Sequence, residues 1–476
     1  MKLLAELFEQ TFHVLPDSID ALPSSGSNRR YYRMTIGDRS AIGAIGCNPD
    51  ENLAFFELDR HFRRNGIPVP EIYAFSDDRL RYIQEDLGNA TLFDAVAEGR
   101  KSGNYNDEER QLLKRAIAML PTIQFCGGSG LDFNICYPIK EFDAMSIMFD
   151  LNYFKYCFLK TTGIEFDEVR LEYDFATLCN SLLIDCGDTF MYRDFQSRNI
   201  MVPDGELYFI DFQGGRRGPI YYDAASFILQ ARARYSKELR ETLLDTYLES
   251  LSEFMRIKKK KHFLARFRQF ALFRTLQVLG AYGFRGNYEH KSHFKESIPF
   301  AITNLESLLE TPFEEYPYLN NVLVAVVEKY KSKTARTNEG RLHLDIFSFS
   351  YKSGIPEDES GNGGGYVFDC RGLPNPGRLE EFKHLTGLDQ PVIDYIEEFP
   401  ESEDFFKEVA TLADSHIKNY IERGFTNLMF SFGCTGGRHR SVYFAQRLAD
   451  YLKNRYDIDI TLNHRERGII KEYPEK

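Results

Sequence analysis

The chain has no run of 18 apolar residues, so a conventional membrane-spanning helix is not expected and no membrane partner is called for. Its start, MKLLAELFEQTFHVLP, lacks the basic stretch, long apolar core and small-residue cleavage site of a secretory signal, which points to a cytoplasmic protein. The eight cysteines, Cys47, Cys126, Cys136, Cys157, Cys179, Cys186, Cys370 and Cys434, form no C-x-x-C pair and no zinc-ligand spacing. A disulfide framework and a zinc module are therefore excluded, and reduced thiols are expected. Positive charge is in short supply too: 59 Lys and Arg stand against 71 Asp and Glu, so the chain as a whole gains nothing from approaching a polyanion. What remains is an ordinary globular composition, 43% apolar and 27% charged, and 476 residues give room for two or three packed units.

The clearest composition shift is KYKSKTARTNEGR, ending at Arg341, a polar stretch between two periodic regions. It divides the expected organisation into residues 1–328, a linker at 329–341 and residues 342–476. MTIGDRSAIGAIG reads as two strands around a Gly-Asp turn, ENLAFFELDRHFRRNG as a helix, and IYAFSDDRLRYIQEDLG as a second hairpin. A small sheet lobe, 1–88, precedes a mostly helical lobe, 89–328. Within the helical lobe, residues 189–215 read as two short apolar strands joined by polar loops, where chemistry commonly sits. The basic run from Arg256 to Phe270 reads as a solvated helix face and is assigned no function.

In those loops, Asp194 stands five residues before Asn199, and Asp211-Phe212-Gln213 follows twelve residues later. This spacing resembles the kinase pair H-x-D-x-x-x-x-N and D-F-G. The chemistry needs that pattern: Asp194 accepts the proton of the attacking hydroxyl, while Asn199 and Asp211 offer hard oxygens to Mg²⁺.

SGSNRRYYRM, VPEIYAF, QEDLGNATLFD, YRDFQSRNIM, IDFQGGRRGPIYYDAASFI and FRTLQVLGAYGF, in that order, resemble the aminoglycoside phosphotransferase type of kinase-like fold. They are most similar to the anomeric sugar kinases that phosphorylate N-acetylmuramate and N-acetylglucosamine at C1. The resemblance covers most of residues 1–325 and implies an α+β bilobal, protein-kinase-like domain that uses ATP and Mg²⁺. It implies that Ser25, Gly26, Ser27 and Asn28 form the loop over the phosphates, that Gln84, Glu85, Asp86 and Leu87 form the hinge beside the adenine, and that Glu57 is the ion-pair carboxylate. Two departures stand out. Tyr192 holds the position of the motif's histidine, which is mainly structural in the family. The strand SAIGAIG carries no lysine for the α and β phosphates, with Gly43 at the expected place, so Arg29, Arg30 or Arg33 is called on for the missing charge, Arg30 and Arg33 being counted with the ATP site. Failing that substitution, the domain reads as a weak kinase or a pseudokinase. Asp223 reads either as a binding residue or as a helix N-cap.

Downstream, FTNLMFSFGCTGGRHRSVYFAQRLADYL reads as a buried strand, a Gly-rich turn and an amphipathic helix from about Ser441. Gly433, Gly436 and Gly437 free the backbone to aim N–H groups at an anion, and Arg438, His439 and Arg440 add charge. Cys434 and Arg440 also carry the C-x5-R spacing of cysteine-dependent phosphatases, although no segment offers a convincing aspartic general acid.

LDIFSFSYKSGIP, YVFDCRGLPNPG, LTGLDQPV, the glycine-turn segment and NHRE resemble the C-terminal domain of the RapZ RNase adapter family, across nearly all of residues 342–476. The resemblance implies a separate α/β domain that binds an amino-sugar phosphate and, as an oligomer, a small regulatory RNA. It implies a sugar-phosphate site drawn from Asp369, Arg371, Cys434, Thr435, Gly436, Gly437, Arg438, His439, Arg440, Ser441, His464 and Arg465. The family's N-terminal G-x-x-x-x-G-K-[ST] domain is absent, and the acidic balance speaks against RNA here. The combined expectation is an ATP- and Mg²⁺-dependent phosphotransferase acting on an amino-sugar hydroxyl in cell-wall recycling, fused to a sugar-phosphate-binding domain. A non-catalytic RNA or protein adapter and a C-x5-R phosphatase stay open as alternatives.

Overall fold

The Gly37-Asp38 turn brings two strand-forming stretches side by side. In the computed structural model, which describes every residue except 24–28, 186, 338–340, 359, 361–363 and 475–476, β2 (Arg30–Ile36) and β3 (Arg39–Ile45) pair antiparallel around it. Gly37 has φ 51°, a left-handed value that glycine adopts without strain. With β1 (Ser18–Ala21), β4 (Ile72–Phe75) and β5 (Arg81–Glu85) they form a five-stranded sheet in the order β1-β2-β3-β5-β4. Two helices pack on it. In α1 (Lys2–Phe12), Leu4, Leu7 and Phe8 meet Met34, Ala41 and Ile83. In α2 (Pro49–Arg64), the Asn48 side chain caps the Asp50 and Glu51 N–H groups, and Pro49 starts the first turn. The hairpins and α2 follow the sequence expectation; α1 and β1 were not part of it.

The chain divides into two compact units, Met1–Val327 and Glu328–Lys476. The rest of the first unit is largely helical. In α3 (Ala144–Cys157) the inward residues meet the later helix that spans Lys260–Gly283. The segment read as two strands contains three very short ones, because residues 193–199 and the Pro203-Asp204-Gly205 turn interrupt it, and a fourth follows directly. β6 (Thr189–Met191) pairs with β9 (Arg216–Gly218), and β7 (Ile200–Met201) pairs with β8 (Tyr208–Phe209). Then α4 (Tyr221–Ile228) is buried along its whole length. The basic run opens α5 (Lys260–Gly283), with Phe263, Phe267 and Phe270 turned inward. Gly283 lets α5 approach α3: a Cβ there would lie 2.3 Å from the Cys157 carbonyl oxygen. Helix α6 (Pro317–Thr337) runs into the segment expected as a linker. KYKSKTART contains neither Gly nor Pro and is rich in good helix formers, and Gly340 comes only after the helix ends.

The second unit is a sheet of order β11-β12-β10-β13-β14. β10 (His343–Ser350), β11 (Tyr366–Asp369), β12 (Asn427–Cys434) and β13 (Asp459–His464) run parallel, and β14 (Ile469–Tyr473) pairs antiparallel with β13. The near-continuous apolar run of β12 suits a strand covered on both faces. Helices α7 (Pro400–Glu422) and α8 (Arg440–Leu452) contribute Phe406, Val409, Ala413, Phe444 and Leu448 to the core. In open sheets of this kind, ligands bind outside the carboxyl ends of the parallel strands, which is where the glycine turn lies. Among the described residues every cysteine is free and no helix is long and apolar enough to cross a membrane.

Candidate functional site

β6 delivers Tyr192, Arg193 and Asp194 into a loop that must be held against its own strain, since Arg193 has φ 75°. Asp223 holds it. This carboxylate, fully buried within α4, accepts the backbone N–H of Tyr192 at 2.7 Å and of Arg193 at 2.8 Å. Asp223 is thus neither an N-cap nor an exposed ligand, as the sequence had suggested, but the anchor of the loop. Burial pushes its carboxyl up to about 7, against the pull of those two N–H groups. The Tyr192 hydroxyl donates to the carbonyl of Ile210 and so ties the loop to the residue before Asp211.

Asp194, Asn199 and Asp211 converge on one cleft of about 740 Å³, together with Gln84, Glu85, Asp86 and Leu87 at the end of β5. The Asn199 amide nitrogen donates to the Asp194 carbonyl at 2.9 Å, which leaves the amide oxygen as the group with ligand capacity. Asp211, at φ 67°, accepts at Oδ1 from Gln213 at 2.9 Å. Burial and the nearby Asp194 charge raise its carboxyl above the usual range, so its charged form calls for a cation. One carboxylate and one amide oxygen on the cleft wall fit Mg²⁺, which characteristically takes few protein oxygens and completes its shell with phosphate and water.

The sheet lobe corrects several expectations. Ile42 lines the cleft; by strand alternation Ala44 shares its face and Gly43 does not. A Cβ on Gly43 would strike Met34 and Leu4 on the α1 side, so Gly43 is not the place of the missing lysine. Arg33 is committed to Asp86, donating at 2.6 and 2.9 Å, and Arg30 is exposed on β2 and absent from the cleft wall. Arg29 lines the cleft instead. It is 5% exposed, donates to Glu51 at 2.9 Å and to Asn52 at 3.0 Å, and its charge favours ionised Asp211. Glu57 pairs with Arg60 one turn along α2 and is not in the cleft wall, because six residues from Glu51 the helix presents another face. Ser25, Gly26, Ser27 and Asn28 lie outside the described residues.

Arg274 of α5 was not singled out, although it lies within FRTLQVLGAYGF. It donates to Asp194 Oδ1 at 3.3 Å and to the Tyr222 hydroxyl at 3.0 Å. Beside it, Arg193 reaches both oxygens of the buried Asp150 at 3.4 Å, and Arg216 on β9 donates to the Gly214 carbonyl at 3.2 Å. No periodicity or motif spacing marks Asp150 and Arg216; they meet only through the pairing of β6 with β9 and the packing of α3.

In the second unit, β12 ends at Cys434 and α8 starts at Arg440. The Gly437 N–H donates to Cys434 Sγ at 3.2 Å, and Ser441 Oγ lies 3.1 Å from the same sulfur. Gly437 has φ 62°, and a Cβ there would meet the Glu466 carboxylate at 2.6 Å; Gly436 faces open space. The Thr435 carbonyl accepts from Ser350 Oγ at 2.8 Å. Four of the expected phosphate contacts, Arg438, His439, Arg440 and Arg465, are engaged elsewhere. Arg438 donates to the Lys383 carbonyl at 2.6 Å, His439 donates to the Phe382 carbonyl at 3.0 Å, and Arg465 donates to the Gly354 carbonyl at 3.1 Å. Their side chains fasten neighbouring segments to the loop, since each finds a free backbone carbonyl within reach. Arg440 spans the carbonyls of Arg371 and Leu373 at 2.9 and 2.8 Å, while Arg371 pairs with Asp369 and stacks on Tyr351. His464 is buried, with Nδ1 2.9 Å from Ser348 Oγ, and burial lowers its imidazole to about 4.

Comparison with known proteins finds two matches to family models. Residues 167–257 match the phosphotransferase enzyme family and residues 342–468 match the RapZ C-terminal domain. A curated nucleotide-binding protein of Staphylococcus epidermidis is 33% identical over 195 residues, 37% of this chain, and the chain spans 63% of that relative's length. Among solved structures, a thermostable mutant of aminoglycoside phosphotransferase APH(4)-Ia is similar at 15% identity, over 68% of this chain and 99% of that one, with a TM-score of 0.39. Amicoumacin kinase hAmiN matches at 15% identity, 59% and 84% coverage and 0.44, and an ethanolamine kinase of Plasmodium vivax at 14%, 61% and 82%, and 0.42. The chain therefore carries one region that matches the phosphotransferase enzyme family model and a second that matches the RapZ C-terminal domain model.

Proposed function

We propose that the first unit is an ATP- and Mg²⁺-dependent phosphotransferase that acts on the hydroxyl of an amino sugar such as N-acetylmuramate or N-acetylglucosamine, and that the second unit binds a sugar phosphate. The observation that carries the reading is the convergence of Asp194, Asn199 and Asp211 on a cleft that Gln84–Leu87 also line. The hinge residues take the adenine, Arg29 holds α2 through Glu51 and faces the phosphates, and Asn199 with Asp211 would hold the metal. Bound there, Mg²⁺ neutralises the charge of the transferring phosphoryl group. Asp194 accepts the proton of the sugar hydroxyl as its oxygen attacks phosphorus. Its orientation is set by Arg274 and by the loop that Asp223 anchors. Ser25, Gly26, Ser27 and Asn28 cover the phosphates in this reading.

In the second unit, the open turn at Thr435, Gly436 and Gly437, with Arg371 and Asp369 at its rim, supports a binding site for a sugar phosphate. The Cys434 thiol is occupied by the Gly437 N–H and faces Ser441, so it serves to shape the turn. A coupled ATP-consumption assay over free sugars tests the first assignment. Turnover with an amino sugar is expected; no ATP consumption with any sugar, from protein that is folded, refutes it.

A further inference from the structure

The cleft continues past Asp194 along α5 and the turn after it. Arg274, Val278, Ala281 and Arg285 all line it, and their spacing of four, three and four residues places them on one helix face. Arg274 marks the inner end of this row, donating to Asp194 at 3.3 Å. At about 1.5 Å per residue, the row from Arg274 to Arg285 runs roughly 16 Å. The outer part is not sealed: Val278, Ala281, Tyr282, Arg285 and Phe294 are half-buried and His293 is exposed.

A groove this long is more than the phosphorylated ring needs. One pyranose with its reacting hydroxyl at Asp194 covers well under half of the row. Short side chains keep the remainder open, since Ala231, Ala233, Ala281 and Ala301 all line the cleft. The Tyr282 and Phe294 rings line it too, with centroids 5.7 Å apart, and the Arg285 guanidinium lies 5.4 Å from the Phe294 centroid. Aromatic carbon beside a guanidinium suits a second pyranose, whose C–H face is apolar and whose rim carries hydroxyls. A polycation is disfavoured. Among the described residues that line the cleft on the α5 side, Asp194 is the only carboxylate and Arg274 engages it, while Arg198, Arg232 and Arg285 add positive charge. Arg232 is itself held by Glu296 at 3.0 Å.

We infer that the acceptor is a neutral glycan of two or more rings, with its terminal ring at Asp194 and the next ring carried by Tyr282, Phe294 and Arg285. The chemistry is that of the proposed reaction: the terminal hydroxyl oxygen bonds to the γ-phosphorus of ATP, its proton passes to Asp194, and ADP leaves. The second ring adds binding energy remote from the reacting atoms and so raises kcat/KM. The inference rests on the proposed kinase reading of this cleft.

The test compares kcat and KM of the full chain for N-acetylglucosamine, neutral N,N′-diacetylchitobiose and its deacetylated, cationic counterpart, in wild type, Phe294→Ala and Ala281→Leu. The wild type should favour diacetylchitobiose over the monosaccharide by about tenfold or more in kcat/KM, and should use the cationic disaccharide no better than the monosaccharide. Phe294→Ala removes a ring from the outer groove and Ala281→Leu narrows it partway along, and each should cut the disaccharide preference several-fold. Equal use of one ring and two by the wild type overturns the inference. So does a preference for the cationic disaccharide over the neutral one, or an equal loss on one ring and two in variants that still bind Mg-ATP normally by calorimetry. Should Phe294→Ala fail to fold, the wild-type selectivity and Ala281→Leu decide. Turnover of the monosaccharide alone sinks this inference and spares the kinase reading, whereas turnover of no sugar by folded protein sinks that reading and this inference with it.

Discussion

The Arg29 guanidinium donates to the Glu51 carboxylate at 2.9 Å from a position just before β2, in a chain whose third strand offers no lysine. Arg29 follows Ser25–Asn28 in the sequence, and its partner Glu51 is the third residue of α2. Kinases place the equivalent charge on a strand and pair it with the helix that follows. Here α2 is clamped instead to the segment just before β2, and Phe55 and Tyr82 wall the guanidinium in at 5.9 Å from each ring.

Replacing Arg29 with Met should therefore cut kcat/KM for ATP by about a hundredfold, because one charge-assisted contact is lost and Glu51 is left without its partner. Arg30→Ala should stay within about twofold of wild type, being on the exposed face of β2. Steady-state kinetics with ATP varied distinguish the two; equal effects from both would refute the Arg29 assignment.

Asp223→Ala removes the acceptor of two buried N–H groups. Each orphaned donor costs about 1–3 kcal/mol, so unfolding by urea should show a loss of a few kcal/mol. Asp223→Asn keeps one acceptor oxygen and should lose less stability while still lowering kcat, since the Asp194 loop is held by a single oxygen. A kcat unchanged in Asp223→Asn would contradict the anchoring role.

His464 gives the second unit a pH dependence of defined sign. Its imidazole ordinarily titrates near 6.5, and burial, with the Lys471 charge, lowers it to about 4 in the fold. The unfolded chain therefore binds the proton first as pH falls. Stability is full above 6.5 and declines between 6.5 and about 4, by up to about 3 kcal/mol. Denaturation curves of the full chain at several pH values, for wild type and His464→Gln, read this out. The variant should show a shallower pH slope, and an identical slope would show that His464 does not titrate with unfolding.

Gly437→Ala must place a methyl group at φ 62° and 2.6 Å from the Glu466 carboxylate. Backbone strain of about 1 kcal/mol and the displaced carboxylate should together weaken binding of glucosamine 6-phosphate by about tenfold or more in calorimetry. Gly436→Ala, which faces open space, should be much milder. Equal affinities in the two variants would remove the turn from the proposed phosphate site.

How much of this was readable beforehand depended on sequence distance. Asp194, Asn199 and Asp211 lie within 18 residues of one another on loops between short strands, so spacing alone brought them together. The placement of Gln84–Leu87 on the cleft follows for a similar reason, the segment being continuous with β5. Glu51 was missed because choosing between it and Glu57 requires the helical phase of α2 relative to the sheet, which depends on packing. Arg29, Arg274 and Arg216 were missed or left unassigned because each contributes a single side chain from a separate element. In the second unit the turn was legible from its glycines. The engagement of Arg438, His439 and Arg465 with backbone carbonyls was not, since charge in a sequence says nothing of which neighbour will satisfy it.

The central claim is that Asp194 and Asp211 act on one bound nucleotide in different capacities. The most direct measurement pairs Mg-ATP calorimetry with sugar-dependent ATP consumption for wild type, Asp194→Asn and Asp211→Asn. Asp194→Asn should bind Mg-ATP within about threefold of wild type and lose about a hundredfold or more in turnover, while Asp211→Asn should lose binding in Mg²⁺ as well. Wild-type protein that gives no binding heat with Mg-ATP, or an Asp194→Asn variant that turns over as fast as wild type, would contradict the account.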